Sequence, residues 1–193
     1  GLIEGVPSHS QFARHLAESG CRVVIPTLIS RKSSEMPNHI SKREWLYRSA
    51  FELGRHLIGY ELQKIFAVVD WFSTQSQDDV KIGTIGWGEG GMLALYAGAI
   101  DTRIDAVCVS GYFNSRQEIW KEPLERNVFG LLTQFGDAEL ASMVAPRHLI
   151  IEAADFPEVH VPSGTGGAAP ADLVTPPLDQ IETEVERAQS IVN

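Results

Sequence analysis

The chain has 193 residues, 44% of them hydrophobic and 21% charged, with a formal net charge of −9. That is the makeup of one globular domain with a sizeable core. The acidic balance argues against nucleic acid and anionic membrane as partners, because both need a basic patch. No run of about 18 apolar residues marks a membrane span. The two cysteines, Cys21 and Cys108, fall in apolar runs and read as small core residues, without a disulfide framework. Residue 1 is glycine and no signal peptide precedes the first helix, so the chain reads as an internal piece of a longer protein.

In chain order, Ser10 to Ser19 reads as a helix with Phe12, Leu16 and Ala17 on one face and Gly20 as its stop. Residues 21–28 read as a strand. A capping box, Ser41-x-x-Glu44, opens a helical pattern that runs through Trp45, Phe51, Leu57, Leu62 and Val69 to about Phe72. At about 30 residues it is longer than most globular helices, and Gly54 or Gly59 is expected to kink or split it. Strands are expected at 80–86, 104–110 and 148–153, with a helix at 90–99. Pro123 opens a helix through Phe129, Leu131 and Leu132, and a short helix follows Gly136. Residues 156–174 form a loop rich in Gly, Pro and Ala, and residues 175–193 an amphipathic helix carrying Leu178, Ile181 and Val185. Apolar strands alternating with helices predict a three-layer αβα sandwich with a mainly parallel sheet. Functional groups in such sheets gather at the carboxyl ends of the strands. The four tryptophans read mostly as core, with Trp87 able to line a pocket.

The densest signal is Gly86-Trp87-Gly88-Glu89-Gly90-Gly91, set between an apolar strand and a helix. It keeps the frame of the G-x-S-x-G turn that presents a hydrolytic nucleophile, but carries Gly88 at the centre, with no side chain to attack a carbonyl. A tight turn that needs glycine for close packing also accounts for all four glycines. The same residues fit G-x-G-x-x-G, a dinucleotide fingerprint. That reading needs an acidic residue at the end of the next strand, roughly 20 residues on. The next strand ends in Ser110-Gly111-Tyr112 instead, and Asp105 lies at its wrong end. Ser110 at that strand end has no elbow and no evident base. The Glu89 carboxylate caps the following helix through its dipole, or acts as general base on a water. His9, His15 and His39 show no metal-ligand spacing, and no metal or cofactor is implied.

Gly54-Arg55-His56-Leu57-Ile58-Gly59-Tyr60-Glu61, Val68-Val69-Asp70-Trp71, Lys81-Ile82-Gly83, the glycine turn, Asp101 to Ala106, Ser110-Gly111-Tyr112-Phe113 and Ala145 to Glu152 occur in an order that resembles dienelactone hydrolase and acetyl xylan esterase relatives of the α/β-hydrolases. The resemblance covers about residues 10–155. It implies a partial hydrolase core over 1–155, with Gly88 where the family has Ser or Cys. It matches the Glu89 amide to an oxyanion-hole donor and Asp155 to the triad acid. It suggests Trp87, Tyr112, Arg55 and His56 as substrate-binding or orienting groups, with Arg55 and His56 placed mid-helix. His160 follows Asp155 too closely to be the catalytic histidine. In this frame the strand at 21–28 would be the fourth and that at 80–86 the fifth, so the third would precede residue 1 and the rest of a parent chain would complete the domain. The resemblance further implies a small ester or carbohydrate ligand and a secreted or periplasmic setting. Three functions compete: an ester hydrolase of the dienelactone hydrolase or acetyl xylan esterase type, or a variant of it in which Glu89 activates a water; a hydrolase-fold module that binds or scaffolds without turnover; and a dinucleotide-binding domain.

Overall fold

The computed structural model describes residues 7, 10–30, 37–75, 80–164 and 166–192. The helices are α1 (Phe12–Glu18), α2 (Lys42–Glu52), α3 (Leu57–Gln75), α4 (Glu89–Ile100), α5 (Asp137–Val144) and α6 (Leu178–Val192). The strands are β1 (Gly83–Trp87), β2 (Ala106–Ser110), β3 (His148–Glu152), β4 (Val159–Val161) and β5 (Ala171–Leu173). Strands β1, β2 and β3 form a parallel sheet in that order, with Ile85 opposite Cys108 and Cys108 opposite Ile150. The architecture is α/β, a three-stranded parallel sheet with helices packed against it.

The sheet is organised around α4, whose residues from Gly91 to Ala99 are all buried. Small side chains let this helix lie close: a Cβ on Gly98 would sit 2.3 Å from Val107 Cγ2. Helix α4 packs on β1 and β2, and α5 packs on β3 and on α4. They cover the face carrying Val107 and Val109, both fully buried. The opposite face is bare among the described residues. There Ile85, Trp87 and Ile150 are 46%, 51% and 59% exposed, and Cys108 is half-buried. Parallel sheets are ordinarily covered on both faces.

Residues 21–28 form no strand; among the described residues no ladder adjoins them or the outer edge of β1. A ladder needs a partner strand, and this segment is tied instead to α3, through Lys64 to the Thr27 carbonyl (2.9 Å) and the Ile29 amide to Glu61 (2.7 Å). Cys21 is therefore exposed rather than core. The apolar face of α1 is open, with Phe12 exposed and only Ala13 buried. The long helix is split at Gly54, whose φ of 66° is a left-handed conformation that glycine supplies without a Cβ clash. The split leaves Arg55 and His56 in the connection between α2 and α3 rather than mid-helix. Half of the capping box forms: Ser41 accepts from the Glu44 amide at 3.0 Å, while the Glu44 carboxylate turns to Arg48 and the Ala169 amide. Pro123 caps only a 3-10 turn, Leu124–Arg126, and not a helix through Leu132; residues 119–133 hold three such short turns. The 156–174 segment is not all loop, because β4 and β5 pair there as an antiparallel ladder. Trp45, Trp71 and Trp120 are exposed, not core.

Candidate functional site

Strand β1 ends at Trp87, and Gly88 turns the chain into α4 with φ 57° and ψ −119°. The Gly88 amide donates to the Ser110 carbonyl at 2.9 Å, pinning the turn to the end of β2, and its own carbonyl receives the Met92 amide. The glycines are not equivalent. A Cβ on Gly86 would lie 2.0 Å from the Gly90 carbonyl oxygen, and one on Gly91 would lie 3.0 Å from that of Ser110. Gly90 would meet nothing within 4 Å, so packing does not explain it. Gly88 is constrained twice, by its positive φ and by Pro157, whose Cγ and Cδ would stand 2.7 Å from a Cβ there.

The turn lies where the carboxyl ends of three strands converge. The Trp87 indole donates to the Asp155 carbonyl at 2.8 Å and packs against Gly111. Gly111, with φ 55°, has no room for a side chain: a Cβ would be 2.9 Å from the Asp155 carbonyl and 3.0 Å from the indole. Its amide donates to the Glu152 carbonyl at 3.0 Å. Trp87, Gly88, Gly111, Asp155 and Pro157 therefore share one rim. The Asp155 residue is exposed and joins this rim through its backbone.

Glu89 begins α4, but its carboxylate is turned inward. One oxygen pairs with Arg43 and the other with Arg126 Nη1 at 3.1 Å. Arg43 also reaches Glu61 (3.1 Å) and the Ile29 carbonyl (3.0 Å). Arg126 pairs with Glu122 at 2.5 Å, and Glu122 with Arg116 at 3.0 Å. The result is a buried ladder, Glu61–Arg43–Glu89–Arg126–Glu122–Arg116, in which each arginine is at most 3% exposed. Charge-assisted bonds of this kind fix position strongly and are costly to break. Both Glu89 oxygens are engaged, which leaves this side chain poorly placed to activate a water beside Gly88.

The other predicted residues are dispersed. Tyr112 is 1% exposed; its hydroxyl donates to Asp137 at 2.9 Å, and Arg116 and Arg126 lie against its ring, so it is a core residue rather than a binding surface. Arg55 is exposed. His56 Nδ1 accepts the Ile58 amide at 3.1 Å and Nε2 lies 3.1 Å from the Asn127 carbonyl, so the ring caps α3 as the neutral Nε2–H tautomer. Burial lowers its pKa, against the opposing pull of the Asn127 carbonyl and Glu89. His160 lies on β4, 3.4 Å from Asp172, and is largely exposed. Neither imidazole has its partner at the turn. Among the described residues no cluster of three or more His, Cys, Asp or Glu could hold a metal, and no helix is long and apolar enough to cross a membrane.

Residues 3–137 match the Dienelactone hydrolase family. The chain belongs to that family. No curated protein and no solved structure matches it. Membership makes this a carboxylic-ester-hydrolase-like domain. The match takes in β1, the glycine turn, α4 and β2, and ends at the first residue of α5. Within the dienelactone hydrolase match lie Arg55, His56, Trp87, Gly88, Glu89 and Tyr112; Asp155, Pro157 and the β4–β5 hairpin lie beyond it. The charged ladder and the Pro157 contact escape a reading of the sequence. One signal was available: Glu61 interrupts the apolar stripe of α3, three residues after Ile58 and one before Leu62, where a carboxylate needs a buried cation.

Proposed function

We propose that this domain does not hydrolyse esters through a covalent intermediate and acts as a ligand-binding or structural member of the dienelactone hydrolase family. The observation that carries this reading is Gly88 at the centre of the turn with the Pro157 ring packed over its Cα, where a side chain would otherwise stand. Loss of a triad nucleophile removes about 10⁶-fold in the rate constant, leaving only the residual effect of binding and oxyanion donors. The ends of the three strands still form an open rim with an exposed indole at Trp87, suited to a small ester or a sugar. The sheet face and the β1 edge that are bare among the described residues favour completion of the domain by further polypeptide.

Hydrolysis by a Glu89-activated water is the second reading, favoured only by the position of Glu89 at the turn, and its two arginine pairs weigh against it. The dinucleotide reading is weaker still, since the Pro157 ring crowds Gly88 at the centre of the turn. The deciding experiment incubates the chain with simple aryl esters and follows turnover together with intact mass. No burst, no steady release and no acyl adduct are expected. An acyl-enzyme, or turnover that disappears in Glu89→Gln, overturns the proposal.

A further inference from the structure

We propose that a cavity away from the glycine turn binds a neutral polyhydroxylated molecule of mono- or disaccharide size. The cavity has a volume of about 510 Å³ and lies between the segments 115–117 and 132–136 and helix α6. That volume falls in the usual range of small-molecule sites. It shares no lining residue with the turn, so it stands whether or not the turn is silent.

Arg116 supplies the buried end of this wall. It is 3% exposed, gives Nη2 to Glu122 at 3.0 Å and lies 5.0 Å over the Tyr112 ring. Its Nε–H and Nη1–H have no acceptor among the described residues. Buried donors left without a partner are costly, and nearly all are satisfied by protein, water or ligand. Both nitrogens are sealed from solvent, and an oxygen atom from the cavity provides their acceptor once the wall beside Arg116 shifts to admit it.

The remaining wall chooses among oxygen ligands. Arg187, the other cation, is already held by Glu139 (2.8 Å) and Glu184 (2.7 Å). Asp179 adds a further carboxylate, so acidic groups outnumber basic ones around the space. A phosphate or carboxylate would face these acids, and an ammonium would face Arg116. A hydroxyl group meets both requirements, because it accepts from a guanidinium and donates to a carboxylate. Gln117, Gln134, Gln180 and Thr183 complete the lining with amide and hydroxyl groups of the same dual character.

Titration of the whole chain with glucose and cellobiose, followed by calorimetry and amide shifts, tests this site, with inorganic phosphate and acetate as anionic arms. Saturable binding of at least one sugar is expected. It should weaken about tenfold in Gln134→Leu or Gln180→Leu, both on exposed positions, as the loss of one hydrogen bond to a ligand predicts. Arg116→Lys keeps the charge but removes the two unpaired donors, and should weaken binding as well; if it melts early, the exposed variants decide. Absence of saturable sugar binding, tighter binding of either anion, or sugar binding unchanged in both glutamine variants overturns the proposal.

Discussion

Replacing Gly88 by serine restores the atom that the G-x-S-x-G pattern carries at the centre of its turn, and the structure sets what that atom would meet. The new Cβ lands 2.7 Å from two ring carbons of Pro157, which cannot rotate away as the end of a flexible side chain would. It also forces a non-glycine residue to hold φ 57°. Backbone strain of this type costs about 1–3 kcal/mol, and overpacking a further 1–3 kcal/mol or so. A combined loss of roughly 2–6 kcal/mol lowers the melting temperature of a chain this size by about 5–20 °C. Thermal and urea melts of wild type, Gly88→Ser, Pro157→Ala and the double variant separate the two parts. The steric share should vanish in the double variant, so the effects should be non-additive by about 1–3 kcal/mol. A Gly88→Ser protein that melts with the wild type, or strictly additive variants, would refute the claim that Pro157 occupies the place of a side chain. Esterase activity is not expected to appear, since neither His56 nor His160 has its partner at the turn.

Gly86→Ala should prevent folding, because its Cβ would overlap the Gly90 carbonyl at 2.0 Å, whereas Gly90→Ala should stabilise by about 0.5–1 kcal/mol as a glycine-to-alanine change at an unobstructed helical position; soluble yield and melting curves check the contrast. Glu89→Gln takes the anion from between Arg43 and Arg126 and should cost about 3–5 kcal/mol in urea denaturation. The Asp137 carboxyl is fully buried, and burial raises its pKa to about 7, opposed by Arg116 and Tyr112. The folded state therefore retains a proton that the unfolded chain, titrating near 3.8, has released. Its stabilising contribution is complete below that lower value and is lost as pH rises through about 7. Melting temperature should decline over this window, and Asp137→Asn should flatten the decline.

The parallel strands were legible because they are apolar runs: Ala106–Ser110 and His148–Glu152 sit inside the expected 104–110 and 148–153, and Gly83–Trp87 ends one residue past the expected 80–86. Helix α4 and the start of its turn were legible from the glycine pattern. Residues 21–28 look equally strand-like, yet a ladder depends on a neighbour that local sequence does not contain. The same limit hid Pro157, which lies far along the chain from Gly88 and bears on it only through the path after β3. The ladder from Glu61 to Arg116 was hidden for a different reason. Charged residues on α2, α3 and the 3-10 turns carry no local mark of whether water or an opposite charge will meet them. Exposed tryptophans mislead in the reverse sense, since aromatic content is read as core by default. Where Ser41 and Glu44 promised a reciprocal cap, Arg48 one turn along the helix and the distant Ala169 amide took the carboxylate instead.

Ile85, Trp87 and Ile150 stand on a plane of parallel strands that water wets poorly, next to a strand edge whose amides and carbonyls adjoin no strand among the described residues. Such a plane templates further strands and attracts other greasy surfaces. In concentrated solution the polypeptide should therefore stick to itself. Salting-out conditions should aggravate the stickiness, and a covering peptide should relieve it.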